Sequence, residues 1–204
     1  MTSYLETTVS SFDSTQPPTV IVLGPPRSGT SMISGILRLL GIYMGECNSK
    51  NNEDQRFNKT NATADIEALI SENNASHAIW GWKHPSTHIY YDSIAGSVRN
   101  PFFIASFRNV LDAAASKLKH TGSGDPLDLI RPYASHYVKI SSLIAQSGRP
   151  CIYVNYDKAA ADPVPLAEHL AQRLLGRPLE DNEREKITEY CTPGTYKSID
   201  KLLD

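Results

Sequence analysis

The stretch TVIVLGPPRSGTS, residues 19–31, decides how the rest of the chain is read. The apolar run from Val20 to Leu23 has the character of a buried strand, and Gly24 turns the chain at its end. Gly24 and Gly29 have the spacing of a phosphate-binding loop, G-x-x-x-x-G-K-[ST]. Where that motif carries lysine, however, this chain carries Thr30.

A strand, a tight turn and a helix make an anion site even without that lysine. The first helical turn has backbone N–H groups without intrahelical acceptors, and the helix dipole places partial positive charge there. Ser28, Gly29, Thr30 and Ser31 are expected to offer such N–H groups, and the three hydroxyls add donors. Arg27 supplies a full charge on a planar fork that suits two phosphate oxygens. A Gly-Pro-Pro turn alone would explain Gly24 to Pro26 but not a cation and three hydroxyls at one helix start. In nucleotide hydrolases the lysine reaches the β/γ-phosphates and the next Ser/Thr holds magnesium. No apolar strand here ends in an obvious acidic partner for that ion, so ATP or GTP hydrolysis is not expected, and no metal site is expected.

The 204 residues fit one domain, with a flexible lead-in over 1–18 and a single domain over 19–204. Residues are 40% hydrophobic and 21% charged, with a net charge of −2. Without a basic excess there is no footprint for general nucleic-acid binding. No apolar run approaches the roughly 18 residues of a membrane span, and the N-terminus lacks the basic start and apolar centre of a signal peptide. Three cysteines, Cys47, Cys151 and Cys191, have no C-x-x-C spacing, so a cytoplasmic setting is expected and neither disulfides nor zinc.

Strand-like runs at 20–23, 77–82, 101–107 and 151–156 alternate with helix-like ones. Helices are expected after the first strand, where Ile33, Ile36, Leu37 and Leu40 recur at helical spacing, and over 65–72, 110–119, 126–147, 163–175 and 180–190. Residues 45–64 are polar and turn-rich, hence a loop. The alternation predicts an α/β fold, a three-layer α/β/α sandwich around a mainly parallel sheet, of the P-loop nucleotide-hydrolase kind.

Arg108 follows the third strand and Ser116 lies eight residues on, slightly over two helical turns, so one face can present both to a second phosphate. This pair together with GPPRSGTS resembles the sulfotransferases that use 3′-phosphoadenosine 5′-phosphosulfate (PAPS). WGWKHP, residues 80–85, is similar to the W-G-W-K-D-P of bacterial members, and VNYDKAAADP, residues 154–163, to their strand-Tyr-Glu-Asp-Leu stretch. The resemblance spans residues 20 to about 175.

It implies that Arg27, Ser28, Gly29, Thr30 and Ser31 hold the 5′-phosphosulfate, and that Arg108 and Ser116 hold the 3′-phosphate of PAPS or its product PAP. It also makes Lys83 the cation at the departing oxygen and puts Tyr156 near the adenine. The general base stays open among Glu53 and Asp54 in the loop NNEDQRF, His84 beside Lys83, and Glu46. His84 departs from the pattern, because many relatives with a histidine base place it one residue later, where this chain has Pro85. Thr195, Tyr196 and Lys197 are candidates to close over the nucleotide, although the Arg-Lys-Gly segment of larger relatives is absent.

The activity implied is transfer of a sulfuryl group to a hydroxyl, or an amine, on a small-molecule, carbohydrate or lipid acceptor. A nucleotide kinase of similar fold and a non-catalytic nucleotide-binding protein are the competing readings. A kinase predicts magnesium-dependent ATP binding; a sulfotransferase predicts metal-independent binding of PAP. Oligomeric state and acceptor identity are not legible, although residues 45–64 and 121–132 are where an acceptor pocket is expected.

Overall fold

A computed structural model describes residues 2–7, 13, 15–192 and 199–203. Its centre is the strand foreseen in the opening motif. Thr19–Leu23 (β2, after a short β1 at Tyr4–Glu6) is buried along its whole length, because it is hydrogen-bonded on both edges and covered on both faces. The remaining strands are Trp80–Lys83 (β3), Pro101–Phe107 (β4) and Cys151–Asn155 (β5). Their order in the sheet is β1-β5-β4-β2-β3. The β5-β4-β2-β3 part is parallel, and β1 closes the β5 edge antiparallel, pairing Leu5 with Tyr153.

That edge strand corrects one expectation. The first 18 residues are not a lead-in throughout, since Tyr4–Glu6 belongs to the sheet. Glu6 accepts from Arg173 at 2.7 Å and bonds His169 at 2.9 Å, which fastens the strand to the helical layer. Three residues with one exposed leucine are too short to read as a strand from periodicity alone.

Helices cover both faces: Thr30–Leu39 (α1), Thr63–Ser76 (α2), Thr87–Ile94 (α3), Val110–Thr121 (α4), Pro126–Ser147 (α5), Tyr156–Ala161 (α6), Val164–Leu170 (α7) and Asp181–Cys191 (α8). α1 ends where Gly41 adopts φ +80, and α5 starts on an Asp125 cap with Pro at its first turn. α5 runs on through Pro132. α7 ends in a π-helical turn, Ala171–Leu175. The helix α3 was not foreseen; it begins directly after the Pro85-Ser86 turn that follows β3.

The period-2 alternation of the strands sorts the core into two halves. Val20, Val22, Phe102, Ile104, Ile152 and Val154 face α1, α7 and α8. Ile21, Leu23, Trp80, Trp82, Phe103 and Ala105 face α2, α3 and α5. Each fully buried Val, Leu, Ile or Phe among them contributes about 1.5–3 kcal/mol relative to exposure. The same parity has a consequence for chemistry: with Trp80 and Trp82 on one face, Lys83 must point to the other, toward the start of α1. Among the described residues, no helix is long and apolar enough to cross a membrane.

Candidate active site

The turn between β2 and α1 is held in an uncommon backbone path, with positive φ at Arg27 (+66) and Gly29 (+91). At Gly29 a side chain is excluded for a second reason: a Cβ there would lie 1.9 Å from the Tyr156 ring. Tyr156, the first residue of α6, therefore seats against the loop backbone. Ser28 behaves differently from expectation. Its N–H (3.2 Å) and hydroxyl (2.7 Å) both donate to the Pro25 carbonyl, and its own carbonyl accepts from Ser106 at 2.5 Å. Ser28 is buried and shapes the loop, so the hydroxyl and N–H assigned to anion binding are already spent. The α1 start itself carries no side-chain cap, which keeps its first N–H groups available to a ligand.

Two clusters flank this turn. In the first, the Arg27 Nε–H donates to the Ser116 hydroxyl at 3.2 Å, and an Arg108 N–H donates to the Arg27 carbonyl at 3.3 Å. The Arg108 guanidinium pairs with Asp157 at 3.2 Å and lies over the Tyr156 ring, 5.0 Å from its centroid. The backbone of Arg108 is gripped by one hydroxyl: Tyr137 accepts from its N–H at 3.0 Å and donates to its carbonyl at 2.8 Å. Arg27, Arg108, Ser116 and Tyr156 thus lie together, with Ser116 bonded to Arg27 and not to Arg108. A cavity of about 1040 Å³ opens beside them, lined by Arg108, Asn109, Asp157 and Tyr153 and reaching Leu5 of β1.

The second cluster centres on Lys83, at the end of β3 and only 3% exposed. Its ammonium donates to Glu53 at 2.6 Å, to the Asn51 carbonyl at 3.2 Å and to the Ser31 hydroxyl at 3.4 Å. Burial pushes Lys83 below the ordinary lysine range, while the Glu53 charge acts against that shift. Thr30, 6% exposed, begins the helix that carries Ser31. A chain without the P-loop lysine thus places an ammonium beside the β2–α1 turn from a neighbouring strand.

The four base candidates separate clearly. Glu53 is on Lys83. Asp54 is turned away and saturated: it accepts from the Glu46 N–H at 2.8 Å, from the Arg56 N–H at 3.0 Å, and from the Arg56 guanidinium at 2.6 Å. Capping the short 3₁₀ turn Gln55–Phe57 and holding Arg56, it anchors the loop. Glu46 is likewise bound to Arg56, at 2.8 Å. His84 is buried, with Nδ1 accepting from the Ser86 N–H at 3.3 Å and bonded to the Ser86 hydroxyl at 2.8 Å. Burial pushes its pKa below the usual 6.5, with the Glu53 charge acting against that shift and the Lys83 charge adding to it.

Asn51, Asn52, Arg56, Tyr137 and Asp157 were not singled out from sequence. Only Asp157 had a usable signal, its place immediately after Tyr156. Thr195, Tyr196 and Lys197 lie outside the described residues. Among the described residues, no group of three or more His, Cys, Asp or Glu side chains is arranged to hold a metal ion.

No protein-family model matches the sequence, and no curated protein does so significantly. Solved structures do match. The sulfotransferase domain of the Synechococcus PCC 7002 olefin synthase superposes with a TM-score of 0.57 at 14% identity, covering 92% of this chain and 82% of that one. Sulfotransferase STF1 from Mycobacterium tuberculosis H37Rv gives 0.57 at 12% identity, covering 92% and 75%. Sulfotransferase STF9 from Mycobacterium avium gives 0.53 at 12% identity, covering 87% and 68%. The class that this architecture defines is therefore the sulfotransferase fold, an α/β sandwich with a mostly parallel five-stranded sheet. Within it, this chain keeps a glycine-rich loop at the β2–α1 junction and an ammonium beside it.

Proposed function

We propose that this chain is a PAPS-dependent sulfotransferase acting on a hydroxyl, or an amine, of a small acceptor. One observation carries the reading: a single buried ammonium, Lys83, contacts both the start of the phosphate-loop helix at Ser31 and the Glu53 carboxylate. Sulfuryl transfer needs those two functions side by side, a cation for the departing oxygen and a base for the acceptor proton.

In this reading the α1 start and Arg27 hold the 5′-phosphosulfate, and Arg108 gives the 3′-phosphate a planar guanidinium in place of Asp157. Glu53 takes the proton from the acceptor oxygen as that oxygen bonds to sulfur. Lys83 then meets the charge that collects on the bridging oxygen when its bond to sulfur breaks. His84, bonded to the Ser86 hydroxyl and N–H, serves the shape of the β3–α3 turn. Proximity and charge do most of the work in such transfers, which suits a site made largely of cations and backbone.

Calorimetry with PAP, ATP and AMP tests the proposal. PAP should bind without magnesium and more tightly than AMP, and PAPS should be consumed in the presence of an accepted hydroxyl compound. Equal affinity for AMP and PAP would overturn it.

A further inference from the structure

Glu53 sits in a polar loop, and nothing in its own side-chain length fixes it on Lys83. What fixes it is the residue before it. Asn52 is 1% exposed and takes a left-handed backbone, φ +54, which asparagine tolerates better than most side chains. Its side-chain amide spends one hydrogen on the Ser31 carbonyl and the other on the Tyr190 hydroxyl, both at 3.0 Å. Tyr190 in turn donates to the same Ser31 carbonyl at 2.9 Å, which closes a triangle. The amide oxygen accepts from Arg38 at 2.5 Å, and Ser34 donates to the Asn52 carbonyl at 3.5 Å.

Tyr190 reaches this point from α8 by crossing α1 at Gly35, where a Cβ would lie 2.1 Å from the phenol ring. The glycine is therefore the gap through which the C-terminal helix touches the catalytic loop. On either side of Asn52 stand the two loop groups that hold Lys83, the Asn51 carbonyl and the Glu53 carboxylate. Ser31 itself faces both ways, with its carbonyl in the triangle and its hydroxyl at Lys83.

We infer that Asn52 and Tyr190 are positioning residues that lock Glu53 against Lys83 and tie the base loop to the phosphate-loop helix. This rests on the sulfotransferase reading for its catalytic part and on geometry alone for its structural part. A buried triangle of this kind loses more than one bond when any member is removed, since the others are left unsatisfied.

The experiment compares the wild type with Tyr190→Phe, Asn52→Asp and the double variant. Asn52→Asp preserves size and left-handed tolerance while removing both donors. Each single variant should lower kcat for sulfuryl transfer from PAPS about tenfold, with the Kd for PAP within about twofold of wild type. The double variant should be no worse than the poorer single one, because both act on one unit. Amide hydrogen exchange over residues 51–54 should accelerate in all three variants, with the rest of α8 unchanged. Unchanged kcat and exchange, additive losses, or a PAP affinity that falls in step with kcat would each overturn the inference. If wild type itself fails to bind PAP, the functional reading fails, and exchange at 51–54 alone then decides the clamp.

Discussion

The Lys83 ammonium and the Glu53 carboxylate lie 2.6 Å apart, with the lysine side chain 3% and the glutamate side chain 13% exposed. A pair this sheltered is costly to keep unless both charges have further partners, which Asn51 and Ser31 supply to Lys83. Removing one member therefore leaves the other stranded, and the two halves of the pair are expected to fail in different ways.

Lys83→Ala should reduce kcat by about 10²–10³-fold, the loss typical of deleting one donor to developing negative charge. Glu53→Gln retains shape but cannot take a proton, and a loss of about 10²–10⁴-fold is expected. Steady-state kinetics on both, with PAP binding measured alongside, checks that turnover falls further than nucleotide affinity.

Asp54→Asn is the contrasting neighbour. Its buried carboxylate holds the half-exposed Arg56 and the Glu46 N–H, so its loss leaves those donors poorly matched and should cost about 1–3 kcal/mol of stability. Urea denaturation reads that directly. A variant that keeps wild-type stability but loses turnover would return Asp54 to the chemistry.

Arg108→Ala should abolish most of the preference for PAP over AMP. A charge-assisted bond is worth about 1.5–3 kcal/mol, or roughly 10–150-fold in affinity. Arg27→Ala, by contrast, should weaken PAP and AMP alike, since both carry the 5′-phosphate. Titration calorimetry with the two nucleotides separates these outcomes.

Gly29→Ala places a methyl group against the Tyr156 ring at a backbone angle of φ +91. A loss of about 1–3 kcal/mol is expected from strain at that angle. Thermal unfolding of Gly29→Ala and of the double variant with Tyr156→Ala distinguishes the clash from the angle: relief in the double variant identifies the ring.

His84, His88 and His136 all have pKa values pushed below 6.5, in each case chiefly by burial. The unfolded chain then binds protons more readily than the folded one. Their contribution to stability is complete above pH 6.5 and is lost as the pH falls from there through the lower folded values. Urea midpoints measured between pH 8 and 5 should decline, and His84→Gln should flatten that decline.

The opening motif predicted β2, the turn and α1 because a four-residue apolar run, two spaced glycines and a helical repeat are local signals. The limits of α5 were equally legible, since Asp125 caps it, Pro126 begins it and Gly148 follows with φ +59. Strand β1 was missed because its reason for existing is the free edge of β5, 145 or more residues away in the chain. The bond of the Ser28 hydroxyl to the bend made by its own loop was not legible, since it is a matter of three-dimensional path.

Sequence by itself determined the alternation of strands and helices, the β2–α1 turn and the cations proposed to serve it. Those follow from hydrophobic period, turn chemistry and charge, all of which act over a few residues. Only tertiary structure decided which carboxylate meets Lys83. Glu53 and Asp54 are adjacent and chemically equivalent, so no local pattern distinguishes them. The choice is made by Asn52, held in a left-handed conformation by Ser31 of α1 and Tyr190 of α8, which points Glu53 inward and leaves Asp54 to Arg56.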